Sequence, residues 1–543
     1  MTKGAKTTLI DAIAALFQSR AKDADEGEDY EAFLALTEPD EAELARQRAW
    51  SPGDPPRFVV IVPGAGGRGA QKTLASLEAQ TYRHFEPARE GASAPGDYVM
   101  AVRAGDTLRP DALYRFARRI EAKREAKLLY ADEDCLAGGR RANPIFKPDF
   151  DEVTALSYDL FGAPVAVSKA LYDACAAPGV ESAFSPGESY AFYLRCLAKC
   201  KSAEHIERVL LTRGAPPEPM GGSEGCAAIE DYLAKADLDC SVSSGLWRGS
   251  FRVAAKPKAK GGIAIVIPNR DGADELRRLL ESIEETSAFY KPRIIIADGG
   301  STSERALKYY EILEKNKAAR VVTVKGAGFP GLCNAAAKVA TAQDLLFLAR
   351  DVELFTPDLV GALRSEAGRR GAGAVGCALW DGGGRLVHAG YVAGLCGAVG
   401  SPYAGEIEAA PSARRLRFTD TARGVAAVSG ACLYVKAEVF HGAGGFDDRF
   451  DDGNILPVGA DVAFCVRLMR KGLTNVFTPY ARAVLHAKLP RIEDAGEELR
   501  MRAFDALRPL LAAGDPYFNR NYSRRSLKPI VKTTPEDGPP ERF

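Results

Sequence analysis

Two tandem α/β units with mostly parallel central sheets, behind a helical N-terminal segment, form the fold class that this 543-residue sequence predicts. Three observations predict it. Two short apolar runs, Phe58-Val-Val-Ile-Val-Pro63 and Ile263-Ala-Ile-Val-Ile-Pro268, share one form, and each ends in proline before a helical stretch. Runs of that length and character read as buried strands. After each run the same signals recur in the same order: a strand, an acidic turn, Pro-Asp and a helix. In the second half, strands alternate with helices, which is the pattern of a sheet covered on both faces.

Residues 1–50 read as polar and helical, with Ile10, Ile13, Leu16 and Phe17 at helical spacing and an acidic run over 23–29. Ser51-Pro-Gly-Asp-Pro-Pro56 is a linker. The first unit is expected over 57–253. In it Asp97-Tyr-Val-Met-Ala-Val102 leads to Asp106 and Pro110-Asp-Ala-Leu113. A Lys/Gly-rich stretch around 254–262 separates the units, and the second is expected over 262–490. There strand 263–268 precedes a helix with Leu276, Leu279, Leu280 and Ile283 on one face. Strand 293–298 follows, then Ser301-x-x-Glu304 as a capping box. Strand 321–324, a helix over 331–340 and strand 344–348 lead to Asp351 and Pro357-Asp-Leu359. A C-terminal helix and tail fill 491–543. Parallel sheets bind ligands beyond the carboxyl ends of their strands. That rule picks out Pro268 to Asp271, Asp298 and Ala349 to Asp351.

Lys plus Arg and Asp plus Glu both number 72, so the net charge is zero, which argues against a dominant nucleic-acid role. The 11 cysteines include no C-x-x-C pair and read as reduced thiols. There is no signal-peptide layout and no apolar run near the roughly 20 residues of a spanning helix. The expectation is a cytoplasmic protein whose membrane contact, if any, is peripheral. The basic stretch Arg520-Asn-Tyr-Ser-Arg-Arg525, with Lys528 and Lys532, reads either as a solvated tail or as a contact for an anionic membrane.

A series of motifs then stands in order through the second unit. They are Ile267-Pro-Asn-Arg-Asp271, Asp298-Gly-Gly-Ser-Thr302, Phe347-Leu-Ala-Arg-Asp-Val-Glu353 and Gly384-Arg-Leu-Val-His-Ala-Gly390. Val428-Ser-Gly-Ala-Cys-Leu433, Gly444-Gly-Phe-Asp447, Asp461-Val-Ala-Phe-Cys-Val-Arg467 and Thr478-Pro-Tyr480 continue it. In this the sequence resembles the family 2 glycosyltransferases, which have the GT-A fold. The tail Asp515-Pro-Tyr-Phe-Asn519 resembles the end of tandem-domain members used in O-antigen or capsule assembly. The first unit joins the resemblance through Leu129-Tyr-Ala-Asp-Glu-Asp134 and Pro144-Ile-Phe-Lys-Pro-Asp149, which form a hairpin in that family. The resemblance implies inverting sugar transfer from a nucleotide-sugar donor to a glycan or lipid-linked glycan, with Mg²⁺ or Mn²⁺ and polysaccharide-assembly partners.

It also implies roles for single residues. Pro268, Asp271, Asp298, Asn334, Arg350 and Asp351 fall on the donor side. Asp298 would accept hydrogen bonds from ribose or base, or else start the turn that caps the next helix. Asp351 matches the last aspartate of the D-x-D motif and, with His486, the metal ligands, a donor set suited to a hard cation. Ala349 and Arg350 stand where the family has Asn or Asp, so Arg350 either grips the diphosphate directly or marks a decayed site. Asp461 matches the catalytic base, while a helix N-cap is its structural alternative. Trp380 and His388 flank Asp381-Gly-Gly-Gly384, either as an acceptor-side hairpin or as one packed into its own domain. The first unit is shorter between Phe58 and Asp106 than the second between Ile263 and Asp351. It is expected to lack the Asp298 strand and to serve in scaffolding or glycan binding. The alternative for the whole chain is a degenerate scaffold for an active partner.

Overall fold

The computed structural model describes residues 26–63, 68–88, 95–176, 186–256, 262–407 and 417–535. The helical reading of 1–25, with Ile10, Ile13, Leu16 and Phe17, lies outside the described residues. The chain divides into two units. The C-terminal unit is Ala254–Tyr517 with Arg524–Pro529. The N-terminal unit runs to Val253 and also takes Phe518–Ser523 and the described residues from Ile530 onward. The 491–543 stretch, expected as one piece, is therefore shared out between the two.

In the C-terminal unit, strand Ile263–Asn269 is buried along its whole length. Arg293–Asp298 lies parallel on one side of it, Asp344–Leu348 parallel on the other, and Arg320–Thr323 extends the set. Continuous apolar strands suit this position because helices cover both faces. Leu276, Leu279 and Ile283 of helix Ala273–Ser287 are buried, as are Leu332, Cys333, Ala336 and Ala337 of helix Phe329–Val339. Beyond Asp344–Leu348 the sheet turns mixed. Cys432–Lys436 pairs antiparallel with it, and Ala372–Trp380 antiparallel with Cys432–Lys436. Thr474–Leu485 then runs parallel to Ala372–Trp380 and carries Val352–Leu354 antiparallel at the edge.

The N-terminal unit repeats this topology. Its strands run in the order Phe85–Ala88, Phe58–Ile61, Tyr98–Ala101, Val165–Ser168, Leu128–Ala137, Glu204–Arg213, Thr107–Leu108. Strand for strand, the parallel and antiparallel pairings match those from Arg293–Asp298 to Val352–Leu354. The period-2 alternation of a covered strand is plain in the core. Val59 and Ile61 face one apolar cluster, Phe58 and Val60 the other.

The structure corrects one expectation. The counterpart of the Asp298 strand is present, as the short Phe85–Ala88. What the described residues lack is the next part. The chain goes from Ala88 to Tyr98 where the C-terminal unit inserts helix Glu304–Lys315, strand Arg320–Thr323 and helix Phe329–Val339. The position matching Asp298 itself lies outside the described residues. The capping box also fails to form: the N-cap is Ser303, with no side-chain cap bond, and Ser301 turns instead to Asp298.

Candidate functional site

The parallel register aligns the strand ends of the C-terminal unit, with Asn269 beside Asp298. Pro268 is buried inside the strand, one residue short of its end. Asp298 is buried and its Oδ1 accepts from Ser301 N at 2.9 Å and Ser301 Oγ at 2.6 Å. The Asn269 amide donates to Tyr310 Oη at 2.7 Å, and Tyr310 reaches Asp298 Oδ1 at 3.4 Å. Asp271, at φ 60°, accepts the amides of Thr302 and Ser303 at 2.6 and 2.7 Å. Those amides hold its carboxyl below the usual carboxylate range. Arg270 spans three loops, donating to the carbonyls of Gly299, Ala327 and Gly453.

Arg350 lies against this cluster. Its Nη1 donates to Asn269 Oδ1 at 3.1 Å and to the Arg270 carbonyl, and its Nε is 3.6 Å from Asp351 Oδ2. Gly272 permits the approach, since a Cβ there would stand 2.4 Å from Arg350 Nη1. Asn334, expected on the donor side, is engaged by other parts of the chain. Its amide clamps the Gly444-Gly-Phe-Asp447 turn, bonding both the N–H and the carbonyl of Phe446 and the carboxylate of Asp448.

A cleft of about 710 Å³ opens in the same unit. Asp461, Tyr391, Arg385, His486 and Lys488 are among its lining residues. Asp461 is the second residue of helix Ala460–Arg470 and is only 3% exposed. Its Oδ2 accepts Gly430 N at 2.8 Å and its Oδ1 accepts Val462 N at 2.9 Å. Burial pushes its pKa up to about 6 even though both amides pull it down. The carboxylate is therefore poised near neutral pH, where a general base is most effective.

Trp380 and His388 sit in the interior and do not line the cleft. His388 Nε2 accepts Gly390 N at 3.2 Å and Ser429 N at 3.1 Å, and burial drives its pKa down to about 3. The imidazole is thus a neutral internal acceptor. The aromatic side chain on the cleft wall is Tyr391, whose ring packs on His388 at 4.4 Å. Tyr391 carries no sequence signal of its own, whereas Asn269 and Arg270 stand inside the Ile267–Asp271 motif.

A divalent cation is implied by the resemblance, and the residues present suit one in part. His486 N donates to the Asp351 carbonyl at 2.9 Å, so the edge-strand register brings the two residues together. Asp351 would offer one carboxylate and His486 one imidazole to such a cation. Among the described residues, one group of three candidate ligands has its atoms within 4.8 Å of one another, and it lies in the N-terminal unit: Asp149, His205 and Glu207. That group is satisfied without metal. His205 Nε2 and Nδ1 lie 2.9 and 3.2 Å from Asp132 and Asp149, and Glu207 pairs with Arg520 at 3.0 Å. Burial lowers the His205 pKa, but the two carboxylates outweigh it and push it up to about 9. An imidazolium donating through both nitrogens has no lone pair to offer a cation.

The matching topology also locates what the N-terminal unit has in place of Asp351 and His486. Thr107 pairs with Thr212 as Val352 pairs with Leu485, so Asp106 matches Asp351 and Arg213 matches His486. Sequence spacing alone points to Thr212 for that place, one residue short. Arg213 is bonded to Glu133, and Asp106 accepts Gly214 N at 2.9 Å. At the turn matching Asp461, helix Pro186–Cys200 offers Glu188, Ser189, Tyr190 and Ala191.

The C-terminal unit is thus an α/β domain with aspartates at its strand ends and a buried carboxylate on the wall of a cleft. The chain matches the description Glycosyl transferase family 2 over residues 264–392. It is 30% identical over 481 residues to the O-antigen biosynthesis protein RfbC of Myxococcus xanthus, covering 86% of this chain and 36% of that protein. It is 27% identical to the uncharacterized protein y4gI of Sinorhizobium fredii, covering 86% of this chain and 50% of that one. The chain therefore spans between a third and a half of the length of these relatives. Among solved structures, GalNAc-T7 with UDP, GalNAc and Mn²⁺ is similar at 15% identity and a TM-score of 0.35, over 46% of this chain and 48% of that one. A mannosyltransferase from Pyrobaculum calidifontis in complex with GDP-Man and Mn²⁺ is similar at 15% identity and a TM-score of 0.30, over 48% and 77%. No helix among the described residues is long and apolar enough to cross a membrane.

Proposed function

We propose that the C-terminal unit transfers a sugar, with inversion, from a nucleotide-sugar donor to a hydroxyl of a glycan or lipid-linked glycan acceptor. The setting proposed is O-antigen-type surface-polysaccharide assembly, for which the named relative from Myxococcus xanthus is the support. The observation that carries the reading is Asp461, a buried carboxylate with its pKa near 6 on the wall of a cleft large enough for an acceptor sugar. In this reading Asp461 takes the proton from the acceptor hydroxyl as the new glycosidic bond forms. Asp298 and Asp271 serve the base and ribose, at the strand ends where such sheets bind ligands. Pro268 and Asn334 complete the donor side in this reading.

Arg350 offers a guanidinium fork to the diphosphate. A divalent cation, Mg²⁺ or Mn²⁺, when bound by Asp351 and His486 would add Lewis-acid stabilisation of the leaving group. The N-terminal unit, with Arg213 in place of His486 and no aspartate at the base position, serves as scaffold or glycan-binding module.

The test is a thermal-shift screen of the full chain against nucleotide sugars, with and without Mn²⁺. One donor should stabilise the protein, and Asp298→Asn should lose that shift. Asp461→Asn should keep the shift and lose transfer. A second reading, a degenerate scaffold, is favoured by one observation: Arg350 already bonds Asn269 and the Arg270 carbonyl. A flat screen would select it.

A further inference from the structure

We infer that Glu353 is a positioning residue, holding the His486 ring so that Nε2 carries the proton and a bare Nδ1 faces the cleft. The value of that arrangement to a cation rests on the transferase reading above; the arrangement itself does not.

The edge strand creates the pair. Glu353 stands opposite Val484, so His486, two residues further along, is its diagonal neighbour on the same face. Glu353 Oε2 lies 2.7 Å from His486 Nε2. An ionised carboxylate can only accept, so the proton of that bond belongs to Nε2. In the neutral ring Nδ1 then keeps its lone pair. The main chain is held as well, since His486 N donates to the Asp351 carbonyl at 2.9 Å.

The direction of Nδ1 follows from its place beside Gly382. A Cβ built at Gly382 would lie 3.9 Å from Nδ1, and Gly382 and His486 both line the cleft. Glycine at 382 puts no side chain of its own against that nitrogen. An imidazole that binds metal through one nitrogen usually donates the other N–H to a carboxylate or carbonyl, which fixes its tautomer and orientation. Glu353 meets that description for His486, while Asp351 supplies the neighbouring carboxylate.

The chain has five histidines, which makes the tautomer directly readable. The full-length protein is labelled with ¹⁵N-histidine, and long-range proton–nitrogen correlations are recorded near pH 8. The His486 signals are identified by their loss in His486→Gln. The expected wild-type pattern is a protonated Nε2 and a bare Nδ1. Glu353→Gln, whose amide oxygen still accepts, should retain it, and Glu353→Leu should shift it towards a mixture of tautomers. Added Mn²⁺ should broaden the His486 signals at about tenfold lower concentration in the wild type than in Glu353→Leu. A proton on Nδ1 in the wild type, or an unchanged tautomer in Glu353→Leu, would overturn the inference. Equal Mn²⁺ sensitivity in the two proteins would overturn it too. A flat donor screen beside an intact tautomer result counts against the transferase reading and leaves the Glu353–His486 pair standing.

Discussion

Burial and two backbone amides compete at Asp461, and burial prevails, lifting its pKa to about 6. Two consequences are measurable. Turnover should rise with pH through an acid limb near 6, and Asp461→Asn should lower kcat by about 10²- to 10⁴-fold. Stability should run the other way. The folded-state pKa lies above the unfolded value, so this group's contribution is fully present below the unfolded pKa and is lost as pH rises through about 6. The melting temperature of Asp461→Asn should therefore gain progressively on that of the wild type between pH 4 and 7, from an offset set by the one amide that asparagine leaves without an acceptor, as scanning calorimetry would show. His388 makes the opposite case, a neutral acceptor whose protonation the fold resists. His388→Phe strands the amides of Gly390 and Ser429 and should cost about 3 kcal/mol, read as a lower urea midpoint. At this scale the sequence is informative where a motif is local. Asp271, Asp298, Arg350 and Asp351 are strand-end residues, and the sheet brings them together. Trp380 and His388 flank a Gly-rich turn, and no local pattern says whether such a hairpin faces an acceptor or packs into its own domain.

At the scale of elements, the loop through Val428-Ser-Gly-Ala431 is the one to perturb. Gly430 brings its amide to Asp461, and a Cβ there would stand 2.7 Å from Phe329 Cζ and 3.2 Å from Asp461 Cβ. Gly430→Ala must push the loop away from helix Phe329–Val339. Transfer is expected to fall at least tenfold with donor-induced thermal shift retained, measured on the same preparation. In the C-terminal unit, strands Ile263–Asn269 and Asp344–Leu348 are legible in the sequence because their apolar runs are fully buried. Phe85–Ala88 is not. Phe-Glu-Pro-Ala reads as a turn, and such a strand is tolerated because it lies at the sheet's edge, where proline costs no ladder bond. The Glu353–His486 contact is equally hidden, since it joins strands 133 positions apart.

For the whole molecule, the duplication is visible as two echoing strings of signals, and the shared strand order bears it out. The sharing of the C-terminal stretch is not visible, because neither the Asp515–Asn519 motif nor the basic stretch holding Asn521 says which unit these residues join. Both donate to Asp132 Oδ2, at 2.8 and 3.1 Å, while Asp132 Oδ1 takes Lys147 N and His205. The carboxylate is wholly buried. Asn519→Leu with Asn521→Leu should therefore destabilise the N-terminal unit by about 2–4 kcal/mol. Protease protection of that unit during mild heating would report the loss.

The same tail sets a timetable for synthesis. A ribosome builds the strands of the N-terminal unit first, yet Asn519 and Asn521 emerge only after the entire second unit has been made. At about 5–20 residues per second, that interval is on the order of tens of seconds. Until it ends, the nascent N-terminal unit holds Asp132 without two of its donors. The sheet of the N-terminal unit is completed by a stretch made only after the whole C-terminal unit.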